Sequence, residues 1–271
     1  MRNWPPMSLT SSPDLTLTRS SRPKGWRLNY EALSLFAALI AAWQIASHYY
    51  PPYLFPSLSV IARTTIDILT DSQALKTVAL TYVRILVALA ASFALALGLG
   101  IWAGIHSRVE RALLPLTQLL QGVPALCWVI FATLWFKNIE TRIAFVILVS
   151  AFPSFYYQIR EGIRAVPSDL SDMVRALRPT RLQVIRKLTI PSLVPQILTA
   201  WQLNLGAATK VTIMAELLSG ISGIGYQLRL AQELFRMDRA IAWTLVLIAF
   251  VLSTNLIVSF LDRRWLRWRS R

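Results

Sequence analysis

Two ionisable residues, Lys210 and Glu216, sit inside an otherwise apolar run from Leu193 to Leu218, and chemistry is sought there first. A charge within a bilayer costs roughly 2.5 to 3.5 kcal/mol on insertion scales, so such a group faces a partner or a cavity. Six residues apart on a helix, the two lie about 120° round the axis and are not placed to pair. Gln202, Gly206, Thr209 and Glu216 share one stripe instead. That stripe, with Lys210 beside it, is the candidate for a path through the membrane or for a subunit interface. The plainer reading of Glu216 is a carboxylate near the outer end of its helix that reaches water.

Other chemistry is thin. The two histidines, His48 and His106, fall near predicted helix ends, and their spacing builds no metal site. The single cysteine, Cys127, excludes an internal disulfide and any Cys-based metal centre, and reads as apolar filling. No Gly-x-x-x-x-Gly-Lys-Ser/Thr is present, so the chain itself cradles no nucleotide phosphate. No Ser, Cys or Asp arrangement reads as a nucleophile. The chain is therefore read as a non-enzyme with no cofactor of its own.

The elements that must position these residues are membrane helices. The chain has 271 residues, 55% hydrophobic and 15% charged, with a mean hydropathy of +0.50, too apolar for an ordinary soluble domain of this length. Residues 1–30 carry Pro, Ser, Thr and Arg without periodicity and read as a disordered tail with no signal peptide. Apolar runs then predict spans over Ala32–Ser47, Leu80–Ile105, Leu116–Phe136, Ile143–Tyr157 (extended to about Ile159), Leu193–Leu218 and Ala240–Leu261. The fold class is all-α: a polytopic membrane protein of about six transmembrane helices, with its membrane domain over 31–265 and a basic tail over 266–271. Between the first two spans, Ser57 is the expected cap of an amphipathic helix along the membrane surface, with Leu58, Ile61, Ile68 and Leu69 on one side. Pro115 and Pro124 are expected to bend the third span. Gly100 and Gly104 form a small-xxx-small pair that lets two helices approach closely.

A net charge of +15 would suggest nucleic acid in a soluble protein, so the placement of the charge decides. Most Lys and Arg fall in the amino-terminal tail, the segment after the fourth span and the carboxy-terminal tail. The asymmetry predicts that both termini and that segment are cytoplasmic. No contiguous basic face with base-reading groups is apparent, so nucleic acid is not an expected partner.

The cytoplasmic segment, residues 168–191, reads as a hairpin of two short helices. Ser168 caps the first, with Leu170, Val174 and Leu177 at helical spacing, and Pro179 ends it. Thr180 and Gln183 have the form of a capping box for the second, which runs to Pro191. Helices this short are marginal alone and need a packing partner.

At these residues the chain resembles the permease subunits of ATP-binding-cassette importers, whose cytoplasmic loop carries Glu-Ala-Ala, a Gly, then an apolar residue and Leu-Pro. Anchored on Pro191, the pattern places Asp172, Met173 and Val174 at the Glu-Ala-Ala positions and Arg178 at the Gly. A closer match is Ala215-Glu216-Leu217 followed by Gly223-Ile224-Gly225-Tyr226; Thr81, Arg84, Gly98 to Gly104, Pro115, Val123-Pro124 and Leu134-Trp135-Phe136 match more loosely. The resemblance covers roughly residues 30 to 265. It departs at Thr209, where sulfonate, taurine and nitrate members often have Trp, and at Ala125 and Lys137.

The resemblance implies a permease subunit in the cell inner membrane, with Asp172, Val174, Arg175, Ala176, Leu177, Thr180 and Gln183 docking on a separate ATPase subunit that holds ATP and Mg. It also implies an extracytoplasmic solute-binding protein and a second permease copy as partners. Gln202, Gly206, Thr209, Lys210 and Glu216 would line a path for a small anion such as a sulfonate, taurine or nitrate. A heterocycle or vitamin precursor is the alternative solute. A secondary transporter would show repeated halves and more mid-membrane carboxylates, and neither is seen.

Overall fold

The computed structural model describes residues 30–164, 180–184 and 190–265. The tail up to residue 29, the first hairpin helix with Asp172, Val174, Arg175, Ala176 and Leu177, and residues 266–271 lie outside the described residues. Every regular element described is a helix. The chain divides into two units, Met1–Ile45 and Ala46–Arg271. Most of α1 (Tyr30–Tyr49) falls in the first; none of its residues is buried, as expected of an apolar helix whose surroundings are lipid or another chain.

The second unit is built from α2 (Leu58–Thr70), α3 (Ser72–Ile105), α4 (Ser107–Gly122), α5 (Ala125–Trp135), α6 (Ile139–Arg164), α7 (Arg181–Val184), α8 (Ile190–Ser219), α9 (Ile224–Glu233) and α10 (Met237–Trp265). Among the described residues, α1, α3, α6 and α10 are long and apolar enough to cross a membrane, and α4 with α5 is a candidate fifth span. That pair turns through 95° at Val123–Pro124. Pro124 has no N–H to continue the ladder and drives the preceding residue extended, and Val123 has φ −83° and ψ 126°. Pro115 is held inside α4, so the expected bend is located at Pro124. Helix α8 is as long as the spans but more polar.

Helices α3, α6 and α8 form the core. Within lipid there is little hydrophobic drive between helices, so close packing and interhelical hydrogen bonds hold them. A Cβ on Gly100 would fall 2.9 Å from Ile159 Cγ2, and one on Gly104 would fall 3.1 Å from Ile163 Cδ1, so the predicted small-residue pair lets α3 lie against α6. A Cβ on Gly162 would fall 2.5 Å from Leu193 Cδ2, so α6 meets α8 in the same way. Phe93, Phe155 and Trp201 meet at centroid distances of 5.3 to 5.8 Å and tie the three helices together. Ser92 Oγ donates to Leu148 O, and Asn204 Nδ2 donates to Ser154 Oγ at 3.1 Å.

Helix α2 packs its buried Ile61 and Ile68 inward, Ile68 joining Ala242, Trp243 and Val246 of α10 in a second cluster. Ser57 stands at the N-cap with extended backbone, but its hydroxyl meets Ser59 Oγ at 3.0 Å and caps nothing. Asp71 is the working cap, accepting from Gln73 N, so α3 begins well before the apolar run that announced it. At the other end of α6, Glu110 of α4 accepts from Arg160 Nε at 2.6 Å and Arg164 Nη2 at 2.5 Å, and Thr117 Oγ1 donates to Tyr157 Oη at 3.1 Å.

Candidate functional site

Helix α8 presents two faces. Leu203, Ala207, Lys210, Met214 and Leu218 are exposed, at helical spacing, while Asn204, Leu205, Ala208, Thr209, Thr212, Ala215 and Glu216 are buried. The stripe read from the sequence is thereby divided. Gln202 is half-buried, with Nε2 3.4 Å from Ser259 Oγ, and Gly206 is half-buried with open space where a side chain would stand. Thr209 turns inward and its hydroxyl donates to Leu205 O, whereas Lys210 turns outward. The Lys210 ammonium meets no partner among the described residues.

Glu216 is fully buried, so the reading in which it reaches water is corrected. Thr81 and Arg84, three residues apart on one face of α3, both reach its carboxylate. Thr81 Oγ1 donates to Glu216 Oε1 at 2.9 Å and Arg84 Nη1 donates to the same oxygen at 2.8 Å. Gly225 N donates to Oε2 at 2.9 Å, and Ile224 N donates to Thr81 Oγ1 at 3.0 Å. Those two amides open α9 and have no partner inside their own helix. The cap Gly223 carries no side chain to serve them, so a carboxylate from α8 and a hydroxyl from α3 take its place, where the helix dipole also favours negative charge.

Gly223 has φ +105° and ψ 175°, a conformation essentially reserved for glycine, and a Cβ there would fall on the Glu216 carboxylate. A Cβ on Gly225 would fall 2.5 Å from Ile213 O and 2.6 Å from Glu216 Cβ. The Gly-Ile-Gly spacing is thus the imprint of α9 pressed against α8. Arg229 of α9 reaches back, donating through Nη2 to Gly220 O at 2.9 Å, close to the carbonyl end of α8, with its guanidinium 5.2 Å from the Tyr226 ring centroid.

Arg84 completes the cluster. Its Nε and Nη2 donate to the two oxygens of Glu140 at 2.8 and 2.5 Å, Nη2 also donates to Ser222 Oγ at 2.9 Å, and Nη1 donates to Ser222 O at 3.2 Å. Every guanidinium donor is engaged. The Glu140 side chain is 52% exposed and Glu216 is sealed, so one cation neutralises a buried carboxylate and is steadied by a wetter one. The cluster locks α3, α6 and the α8–α9 turn together. Glu140 and Ser222 are partners that sequence reasoning missed. Thr81, Arg84 and Glu216 were all signalled by the family pattern, without any indication that they meet.

At the start of α7, Thr180 N donates to Gln183 Oε1 at 2.9 Å and Gln183 N donates to Thr180 Oγ1 at 3.4 Å, the reciprocal capping box expected there.

Residues 96–267 match the family described as binding-protein-dependent transport system inner membrane component. The chain is 28% identical to the putative aliphatic sulfonates transport permease protein SsuC of Bacillus subtilis (strain 168), over 91% of this chain and 89% of that one. It is 28% identical to the taurine transport system permease protein TauC of Escherichia coli (strain K12), over 73% and 72%. Among solved structures, the inward-facing MetNI methionine ABC transporter superposes with a TM-score of 0.60 at 15% identity, over 73% of this chain and 96% of that one, a likeness of fold.

Proposed function

The chain belongs to the binding-protein-dependent transport system inner membrane components, and from that premise we propose that it carries a small anion, such as a sulfonate, taurine or nitrate, across the cell inner membrane. The observation that carries this reading is Lys210. It stands about 14 Å from the outer end of α8 by helical rise, exposed and without a partner among the described residues. Lipid is a poor neighbour for an ammonium at that depth, and a polar path at a subunit interface is a good one.

In this reading two copies of the chain pair across the exposed face of α8, placing Lys210 in the path with Gln202 and Gly206 at its border. Thr209 and Glu216 act from behind, Glu216 by fixing the outer end of the helix. Asp172, Val174, Arg175, Ala176 and Leu177, with Thr180 and Gln183 shaping the hairpin, dock on an ATPase subunit that holds ATP and Mg. Both termini are cytoplasmic, and the α9–α10 turn faces the extracytoplasmic binding protein. Relatives named for sulfonate and taurine transport support a solute that carries an anionic sulfonate group.

The test is ATP-driven uptake by the chain reconstituted with its ATPase subunit and binding protein, comparing wild type with Lys210→Met. Anion uptake is expected to fall about tenfold or more. Uptake that needs no ATPase subunit would sink the importer reading, and anion uptake indifferent to Lys210→Met would sink its assignment to the path. Preferred uptake of a heterocycle would replace the anion.

A further inference from the structure

Phe235 is the one described residue other than glycine with a positive φ, +53°. It occupies the position just past the end of α9. Arg236 N donates to Ala231 O at 2.8 Å and Phe235 N donates to Gln232 O at 3.1 Å, the paired bonds of a Schellman turn. Glycine is the usual residue at that place, because a Cβ is strained there. The strain brings no burial in return: Phe235 is 75% exposed and Leu234 beside it 64%.

The turn is also held firmly. Arg236 donates to both oxygens of Asp238, at 2.9 and 2.7 Å, and Thr64 Oγ1 donates to Asp238 Oδ2 at 3.3 Å. A bulky ring kept in a strained and rigid turn, facing outward, is a feature to be used by something else. Its surroundings say what. On one side of Arg236 lies a largely apolar cavity of about 400 Å³ bounded by Tyr53, Phe55, Pro56, Val60 and Phe235, with Ser47, Ser57 and the Arg236–Asp238 pair as its polar lining. On the other lies a cavity of about 320 Å³ whose rim carries Asp67, Asp71, Arg236 and Arg239, charges of both signs, over a floor that includes Trp243. Two carboxylates and two guanidiniums balance, so an anionic headgroup gains no net attraction there, whereas a protein surface offers apolar side chains and charges of both signs together.

We propose that the Leu234–Phe235 turn, with the apolar cavity on one side of Arg236 and the charged cavity on the other, is a docking point for the extracytoplasmic binding protein. This rests on the importer reading and on the outward placement of the α9–α10 turn. Phe235 enters the partner as an apolar anchor, and the flanking charges set the register.

The test uses the whole transporter, permease with its ATPase subunit in lipid nanodiscs, and the binding protein isolated from the source cells by its stimulation of the wild-type ATPase. Phe235→Gly and Phe235→Ala are each expected to raise the binding-protein concentration for half-maximal stimulation about tenfold or more. Phe235→Gly, which also relieves the turn, should melt about 2 °C above Phe235→Ala. Lost affinity in a variant that is the more stable of the two cannot be ascribed to misfolding. An unchanged half-maximal concentration in both variants overturns the proposal. So does an unchanged response together with quenching of Phe235→Trp by brominated lipid, which would assign the ring to the bilayer surface. A wild-type ATPase that no extracytoplasmic fraction stimulates would instead bring down the importer reading itself.

Discussion

The two ends of α9 solve the same backbone problem in opposite ways. Both require a positive φ, at Gly223 before the helix and at Phe235 after it. At the first, the space beside the backbone is filled by a carboxylate from α8, so only glycine fits, and the turn is sealed inside the chain. At the second, the space is open, and a large side chain stands out from the surface despite the strain. A positive φ by itself therefore says little about role. What meets the missing or present Cβ separates a fold constraint from a displayed group.

The largest expected effect would break the first half of that comparison. Glu216→Ala removes the acceptor shared by Thr81, Arg84 and the Gly225 amide, leaving buried donors without it, and should destabilise the chain by roughly 3 to 5 kcal/mol. Thermal unfolding in detergent measures this, and a loss under about 1 kcal/mol would show that the carboxylate does not hold the turn. Next comes Gly223→Ala, expected to cost about 2 to 3 kcal/mol from the strained backbone and the overlap with Glu216. Its cost should shrink when Glu216 is already Ala, so a double-mutant cycle isolates the contact. Phe235→Gly should go the other way, gaining about 1 kcal/mol in the same assay; a loss would mean that the Phe235 ring supports the fold. The smallest effect is expected at Thr180→Ala, an exposed cap worth about 1 kcal/mol or less. Faster amide exchange at Gln183 would report it, with exchange at Ile224 and Gly225 unchanged.

The spans were legible because bilayer crossing imposes long apolar runs, and the Pro124 bend and the Thr180–Gln183 box because each depends on residues close in sequence. Helix starts were less so. The polar first turns of α3 hid its true beginning at Ser72, and Ser57 had the right type without making the bond. At the site, Glu216, Gly223 and Gly225 were visible as a family pattern. Their common cause was hidden, since Arg84 meets Glu140 and Glu216 across 56 and 132 residues of sequence. Phe235 left no trace at all: nothing in Leu-Phe-Arg-Met announces a left-handed residue, because the turn is set by the bonds to Ala231 and Gln232 and by the Asp238 clamp.

The Glu110 carboxylate has a mechanical meaning. It joins the first turn of α4 to the last turn of α6, which ends at Arg164. Together with Thr117 and Tyr157 it makes a crank: a push on the chain leaving α6 is delivered to α4, whose far end is the right-angled elbow at Val123–Pro124. The α4–α5 pair is thereby geared to the end of α6 through side chains rather than through the backbone between them.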